Sequence, residues 1–237
     1  MKEASAITQA AMNSGEPHFR VVGVGPWSQT HPGEGRPDDA SSENYDPRFD
    51  SELLDEGDRR NVLDRFRYWS VQAIRDDLDR QGRHPFEVAV ENWTHDFNIG
   101  SIVRTANAFA AAKVHIVGPH KWNRKGALMT ELYQHVEQHP SIQELLEQTR
   151  LGDARNPDEG PTRIIAIDNV PGAVPIESYA FPERCLLIFG AEGPGLSQGA
   201  LDAADDVVFI SQFGSVRSIN AGAAAAIAMH SWIVQHG

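Results

Sequence analysis

Alternating strand and helix patterns predict an α/β fold built on a mostly parallel sheet with helices on both faces. Three observations carry this reading. Runs of strand length recur: Phe86–Glu91 alternates apolar and polar residues, Val114–Val117 and Ile164–Ile167 read as further strands, and Leu186–Phe189 and Val207–Ile210 are apolar throughout. Helical windows fall between them at 98–112 and 142–146, and an alanine-rich helix starts at about Ser218. Two of the runs break into loops that neither element contains. Leu186–Phe189 leads into Gly190, Gly193, Pro194 and Gly195, and Val207–Ile210 leads into Ser211, Gln212, Phe213 and Gly214. In open α/β sheets such exits bind ligands.

The N-terminal third reads differently. Residues 1 to about 17 mix Ala, Ser, Gln and Gly without periodicity, as disordered termini do. Phe19–Val24 is expected to be a short strand, and the proline-punctuated stretch Gly25–Asp50 an irregular connection. From Ser51 the pattern turns helical. Val62, Phe66, Trp69, Ala73 and Ile74 recur at spacings of three and four, which predicts one helix with an apolar face and arginines elsewhere. The break at Gly82–Pro85 then divides an N-terminal extension, 1–85, from a main domain, 86–237. Pro171–Pro175 reads as a turn.

Composition narrows the function classes. With 237 residues and 41% hydrophobic content the chain supports one sizeable core plus an appendage. The single cysteine, Cys185, excludes an intramolecular disulfide and reads as a buried strand residue in a reducing compartment. The ten histidines show no metal-ligand spacing, so no metal is expected. No basic-then-apolar leader or membrane-length run occurs, so a soluble, cytoplasmic protein is expected. The formal net charge of −12 means that any nucleic-acid contact must come from local cations. Two segments offer them: Arg59, Arg60, Arg65 and Arg67, and the loop of Lys121, Trp122, Arg124 and Lys125, where an aromatic ring sits among cations. Solvated surface is the competing reading of both.

Three ordered motifs point further. Asn98-Ile99-Gly100-Ser101-Ile102-Val103-Arg104, Phe189-Gly190-Ala191-Glu192-Gly193-Pro194-Gly195 and Ser218-Ile219-Asn220 resemble motifs 1, 2 and 3 of the SpoU (TrmH-like) RNA ribose 2′-O-methyltransferases of the SPOUT superfamily, over roughly residues 86–237. The resemblance implies a C-terminal deep trefoil knot, S-adenosyl-L-methionine as cofactor, a homodimer, and tRNA or rRNA as substrate. It implies catalytic roles for Arg104, Asn98, Glu192, Ser218 and Asn220. Cofactor contacts fall to Gly190, Glu192, Gly193, Gly195, Ile210, Gln212 and Ile219. The chain departs from the pattern at Ser211 and Gln212, where many members have Pro-Met, and at Ala221 and Gly222, where many have Val-Ser.

Physics leaves some roles open at this stage. Asn98, Asn220 and Ser218 flank helix starts and each also reads as an N-cap. Arg104 reads either as a group acting on the ribose hydroxyl or as a surface ion pair, and its guanidinium, always protonated, favours electrostatic stabilisation over proton abstraction. His95 and Asp96 are too weak a pair to join the catalytic set. A nicotinamide dehydrogenase is disfavoured because the glycine order is inverted and no acidic residue follows at the required interval. A catalytically silent RNA-binding or interaction protein of the same fold remains the competitor.

Overall fold

The computed structural model describes residues 5–16, 22–94 and 98–237. Of the expected strand Phe19–Val24, residues 19–21 lie outside the described residues, as do His95 and Asp96, and 22–24 form no strand but a single bridge from Val24 to Asp58. The chain divides into two compact units, 1–68 and 69–237, so the division falls before the Gly82–Pro85 loop in which the sequence places it.

The first unit holds three short helices, α1 (Ala6–Asn13), α2 (Trp27–Thr30) and α3 (Ser51–Glu56). Its organising group is Asp58, 0% exposed, whose carboxylate accepts from the Arg60 backbone and guanidinium and from the Tyr68 N–H at 2.8–3.0 Å. A buried carboxylate requires such partners, and removing them would leave an uncompensated charge. Arg67 is turned inward as well and donates to the Arg60 carbonyl at 2.8 Å.

The long arginine-faced helix expected from Val62 to Ile74 is therefore corrected. The segment forms one 3-10 turn at Asp64–Phe66, reaches a left-handed Tyr68 (φ 63°), and becomes helical only in α4 (Val71–Gln81), capped by Ser70. Hydrophobic spacing of three and four was satisfied by separate turns, and the positive φ at Tyr68 ends any helix entering it. The arginines near α4 are also engaged: Arg75 donates to His135, Arg80 pairs with Asp77, and Arg83 pairs with Asp79.

The second unit carries a seven-stranded, all-parallel sheet. Its strands are β1 (His84–Glu91), β2 (Ala111–Val117), β3 (Val136–His139), β4 (Arg163–Ile167), β5 (Val174–Pro175), β6 (Cys185–Phe189) and β7 (Asp206–Phe209), in the order β3-β2-β1-β6-β4-β7-β5. Strand β6 is apolar throughout and β4 after Arg163, as burial on both faces demands, whereas β1 carries Glu87 and Glu91 among its apolar residues. Helices α5 (Ile99–Ala108) and α8 (Ala221–His236) pack on one face through Ile99, Ile102, Val103, Ala225, Ala228 and Met229. Helices α6 (Ile142–Arg155) and α7 (Gln198–Ala203) cover the other through Ile142, Leu145, Leu146 and Ala200.

Two details bear on the sequence reading. Cys185 lies inside β6 with no exposure, and burial pushes its thiol up to about 12, so it is a packing group and not a nucleophile. Trp232, on α8, is only 1% exposed. Its ring packs 4.6 Å from Phe86, and its Nε1 donates to the Pro182 carbonyl at 3.0 Å. Burying an indole stabilises the unit by about 3 kcal/mol.

Candidate functional site

The neighbouring strands β1, β6, β4 and β7 end side by side, at Glu91, Phe189, Ile167 and Phe209. Around the end of β6 the backbone folds into a tight loop. The Gly195 N–H donates to the Ala191 carbonyl at 3.0 Å, and a Cβ on Gly190 would overlap the backbone of Gly195 and Leu196. Only glycine permits that approach. Gly195, at φ 76°, occupies backbone space that side chains rarely tolerate.

Two carboxylates missed in the sequence hold this loop from the flanking strands. Glu91, 0% exposed, accepts from the Ser197 N–H at 2.7 Å, the Ser197 hydroxyl at 2.6 Å and the Trp93 Nε1 at 3.0 Å. Asp168, just past β4, accepts from the Leu196 N–H at 3.0 Å. The only signal for them was an acidic residue at the end of each apolar run, and strand ends are commonly acidic for solubility alone.

The three motifs converge on one polar relay. Asn98 donates through Nδ2 to the Glu192 carboxylate at 2.7 Å and accepts through Oδ1 from Asn220 Nδ2 at 2.8 Å. Asn220 meanwhile caps α8, its Oδ1 accepting from the Ala223 N–H at 3.1 Å. For Asn220 capping and bridging coexist, whereas Asn98 makes no side-chain cap and spends its amide on the other two motifs. Gly222, where the resembled pattern has a larger residue, permits the close approach of the two helices, since a Cβ there would lie 2.7 Å from Ser101 Oγ.

Arg104 is exposed on α5 and makes no hydrogen bond or ion pair with the described residues. Its surroundings follow from helix periodicity. Gly100, one turn earlier, lies against the backbone of Asn123–Ala127, and Ser101 faces α8, so Arg104 emerges between the basic loop and α8 and leans toward the Asn98 end. Lys121, Arg124 and Lys125 of that loop are exposed. Trp122 packs partly against the core beneath Arg124, whose guanidinium lies 5.8 Å from the ring centre, so the indole is spent on packing and a cation.

The remaining predicted residues frame the mouth. Ile210 is half-buried against the core, and Ser218 is exposed with Ile219 half-buried beside it. Ser211, the departure from Pro, donates through its N–H and hydroxyl to Glu177 at 3.2 and 2.9 Å. Gln212 presents a buried Oε1 without a hydrogen-bond partner. In the first unit, Arg60 and Arg67 are committed to internal partners, while Arg59 and Arg65 face outward.

A parallel sheet with four adjacent strand ends, a tight glycine loop and a polar relay defines an α/β protein of the kind that binds ligands at the carboxyl edge of its sheet. The SpoU rRNA Methylase family model matches residues 85–230, more than half of the chain, and the chain belongs to that family. A tRNA (guanosine(18)-2'-O)-methyltransferase of Escherichia coli (strain K12) is 26% identical over 144 residues, 60% of this chain and 60% of the relative. The Saccharomyces cerevisiae protein of the same description is 34% identical over 79 residues, 33% of this chain and 5% of that protein. The chain thus spans less than two thirds of either relative's length, 60% of the first and 5% of the second. Among solved structures, the SpoU methyltransferase AviRb from Streptomyces viridochromogenes, in complex with the cofactor AdoMet, aligns with a TM-score of 0.57 and 28% identity, covering 68% of this chain and 64% of that one. The A. aeolicus TrmH/SpoU tRNA modifying enzyme aligns with a TM-score of 0.58 at 19% identity over 70% of this chain and 81% of its own, which bears on the fold alone.

Proposed function

We propose that the chain is an S-adenosyl-L-methionine-dependent RNA methyltransferase that methylates a ribose 2′-hydroxyl of tRNA or rRNA. The observation that carries this reading is the Asn220–Asn98–Glu192 relay, which joins all three motifs beside an unpaired arginine. The methyltransferase domain would span 86–237, after an extension of 1–85, and its C-terminal segment would form the family's trefoil knot. The crossing from β6 over β4 to β7, and the return of α8 onto α5, suit such threading. Among the described residues no helix is long and apolar enough to cross a membrane, in keeping with a cytoplasmic role.

The residues present fit the cofactor. Gly190 and Gly195 let the loop close tightly on its own backbone and on Asp168, Gly193 leaves open space beside it, Ile210 and Ile219 supply apolar flanks, and the orphaned Gln212 Oε1 is an acceptor suited to an exocyclic amino group. Bound there, S-adenosylmethionine supplies an electrophilic methyl group on a sulfonium. Glu192, held by Asn98, would place negative charge on the side of the loop that receives that cation. Arg104, which stays protonated, would orient the ribose hydroxyl and stabilise the alkoxide charge that develops as the hydroxyl proton passes to solvent water. Ser218 offers a hydroxyl at the mouth, and Lys121, Arg124, Lys125, Arg59 and Arg65 offer phosphate contacts, with Arg60 and Arg67 supporting the first unit instead. Incubation with labelled S-adenosylmethionine and total RNA, followed by nucleoside analysis, tests the reading. A 2′-O-methylnucleoside is expected, and methylation of a base alone would overturn it.

Two outcomes follow for variants. Glu91→Gln removes charged acceptors from the Ser197 end of the loop, and charge-assisted bonds contribute about 1.5–3 kcal/mol each. S-adenosylmethionine affinity should therefore fall at least about tenfold in calorimetry, and an unchanged affinity would mean that the loop holds its shape without Glu91. The second concerns self-association. With Trp232 buried, the outward stripe of α8 is Ala223, Ile227, His230 and Val234, of which Ile227 is 40% exposed and Val234 71%. A homodimer built on that stripe fits the exposed apolar surface. Light scattering at micromolar concentration should give twice the chain mass, and Ile227→Asp should give the single-chain mass.

A further inference from the structure

We propose that His115, Glu137 and His139 hold a divalent metal ion of the zinc class, which clips the edge strand β3 to β2. The parallel register pairs His115 with Glu137 and Val117 with His139, so all three side chains project from the same face of two neighbouring strands. This is the face covered by α6, opposite the one that carries α5 and α8. Among the described residues these three form the group whose ligand atoms all lie within 4.8 Å of one another.

The geometry is close to that of a bound ion. His115 Nδ1 and His139 Nε2 are 2.9 Å apart, and Glu137 Oε2 lies 3.9 and 4.0 Å from them. Ligands at about 2.1 Å around a tetrahedral ion stand about 3.4 Å apart, so shifts of about half an ångström would suffice. The surrounding groups already aim the donors. Glu87 Oε2 accepts from His115 Nε2 at 2.9 Å, which assigns the proton to that nitrogen and leaves Nδ1 to accept from His139 Nε2–H at 2.9 Å, a hydrogen bond that the ion would replace once the His139 proton sits on Nδ1. A carboxylate behind a histidine is the arrangement that orients metal-binding imidazoles. Lys113 holds the other oxygen of Glu137 at 2.9 Å, leaving Oε2 turned toward the imidazoles. Both histidines are nearly buried, at 4% and 2% exposure, and His139 Nδ1 has no partner. A cavity of about 400 Å³, lined by Glu87, Lys113, His115 and Glu137, gives an entry path and room for water as the fourth ligand. Two imidazoles and a carboxylate suit zinc better than magnesium or calcium, which prefer oxygen donors throughout.

The test uses the full chain stripped with a chelator, Co²⁺ as a spectroscopic probe and Zn²⁺ as its competitor. One equivalent of cobalt should develop the visible absorption of a four-coordinate ion, one equivalent of zinc should abolish it, and zinc should raise the Tm. Glu87→Gln should weaken zinc binding about 10–100-fold. Glu137→Gln, at a half-exposed position that folding tolerates, should weaken it at least as much, and His31→Gln in the first unit should leave it unchanged. Absence of cobalt and zinc binding at micromolar concentration overturns the proposal. So does binding that survives both Glu137→Gln and His139→Gln, because the ion would then sit elsewhere.

Discussion

Arg104→Ala should keep S-adenosylmethionine affinity within about twofold of the parent while methylation in single turnover falls about 10²–10³-fold, the usual cost of deleting one donor that acts on charge developing in the transition state. That loss corresponds to about 3–4 kcal/mol of barrier. The separation is expected because Arg104 is exposed and makes no hydrogen bond or ion pair with the described residues. An exposed surface arginine without catalytic duty would give parent-like turnover, and that result would strike it from the chemistry. A Tm equal to the parent's is the accompanying control.

Gly190→Ala should abolish measurable S-adenosylmethionine binding, a rise in Kd of at least about 100-fold or 3 kcal/mol. The added methyl has only backbone to displace, the Gly195 carbonyl and the Leu196 nitrogen, and Asp168 holds the latter in place. Gly193→Ala is the informative contrast. Nothing lies within 4 Å of a Cβ there, so its cost is confined to the left-handed backbone at φ 96°, about 1–2 kcal/mol, and binding should persist with a loss of about 30-fold or less. Calorimetry on both variants distinguishes a cradle formed by close backbone approach from a loop that merely needs flexibility. Equal behaviour of the two would remove Gly190 from the binding surface.

The parallel sheet was legible because β4 and β6, buried on both faces, read as apolar runs and β1 as an alternating one, and all three lie within two residues of the segments read from sequence. The short strands were not. Val136–His139 contains Glu137, Gln138 and His139, edge-strand residues whose polarity hides the pattern, and Val174–Pro175 contributes only two residues beside β7. In the N-terminal third, helical spacing misled, because apolar residues three and four apart also serve successive tight turns. Three motif segments were visible as separate patterns, but their mutual hydrogen bonds join residues 94 and 122 positions apart. Glu91 and Asp168 carry no local signature of their role, since the loop they hold is distant in sequence.

The grip of β1 and β4 on the glycine loop also sets the order in which this molecule acquires its binding surface. Glu91 reaches Ser197 across 106 positions of chain, and β6 can insert only when the strands destined for its two sides are present. The loop therefore has no stable local precursor: in a nascent or partly refolded chain the glycines are an unstructured tether. Closure of such distant contacts is slow because chain entropy is lost before the contacts compensate it. The ability to capture a ligand should emerge in the last refolding phase, after most helical signal has returned, and protein released before residue 197 has docked would be compact yet unable to bind.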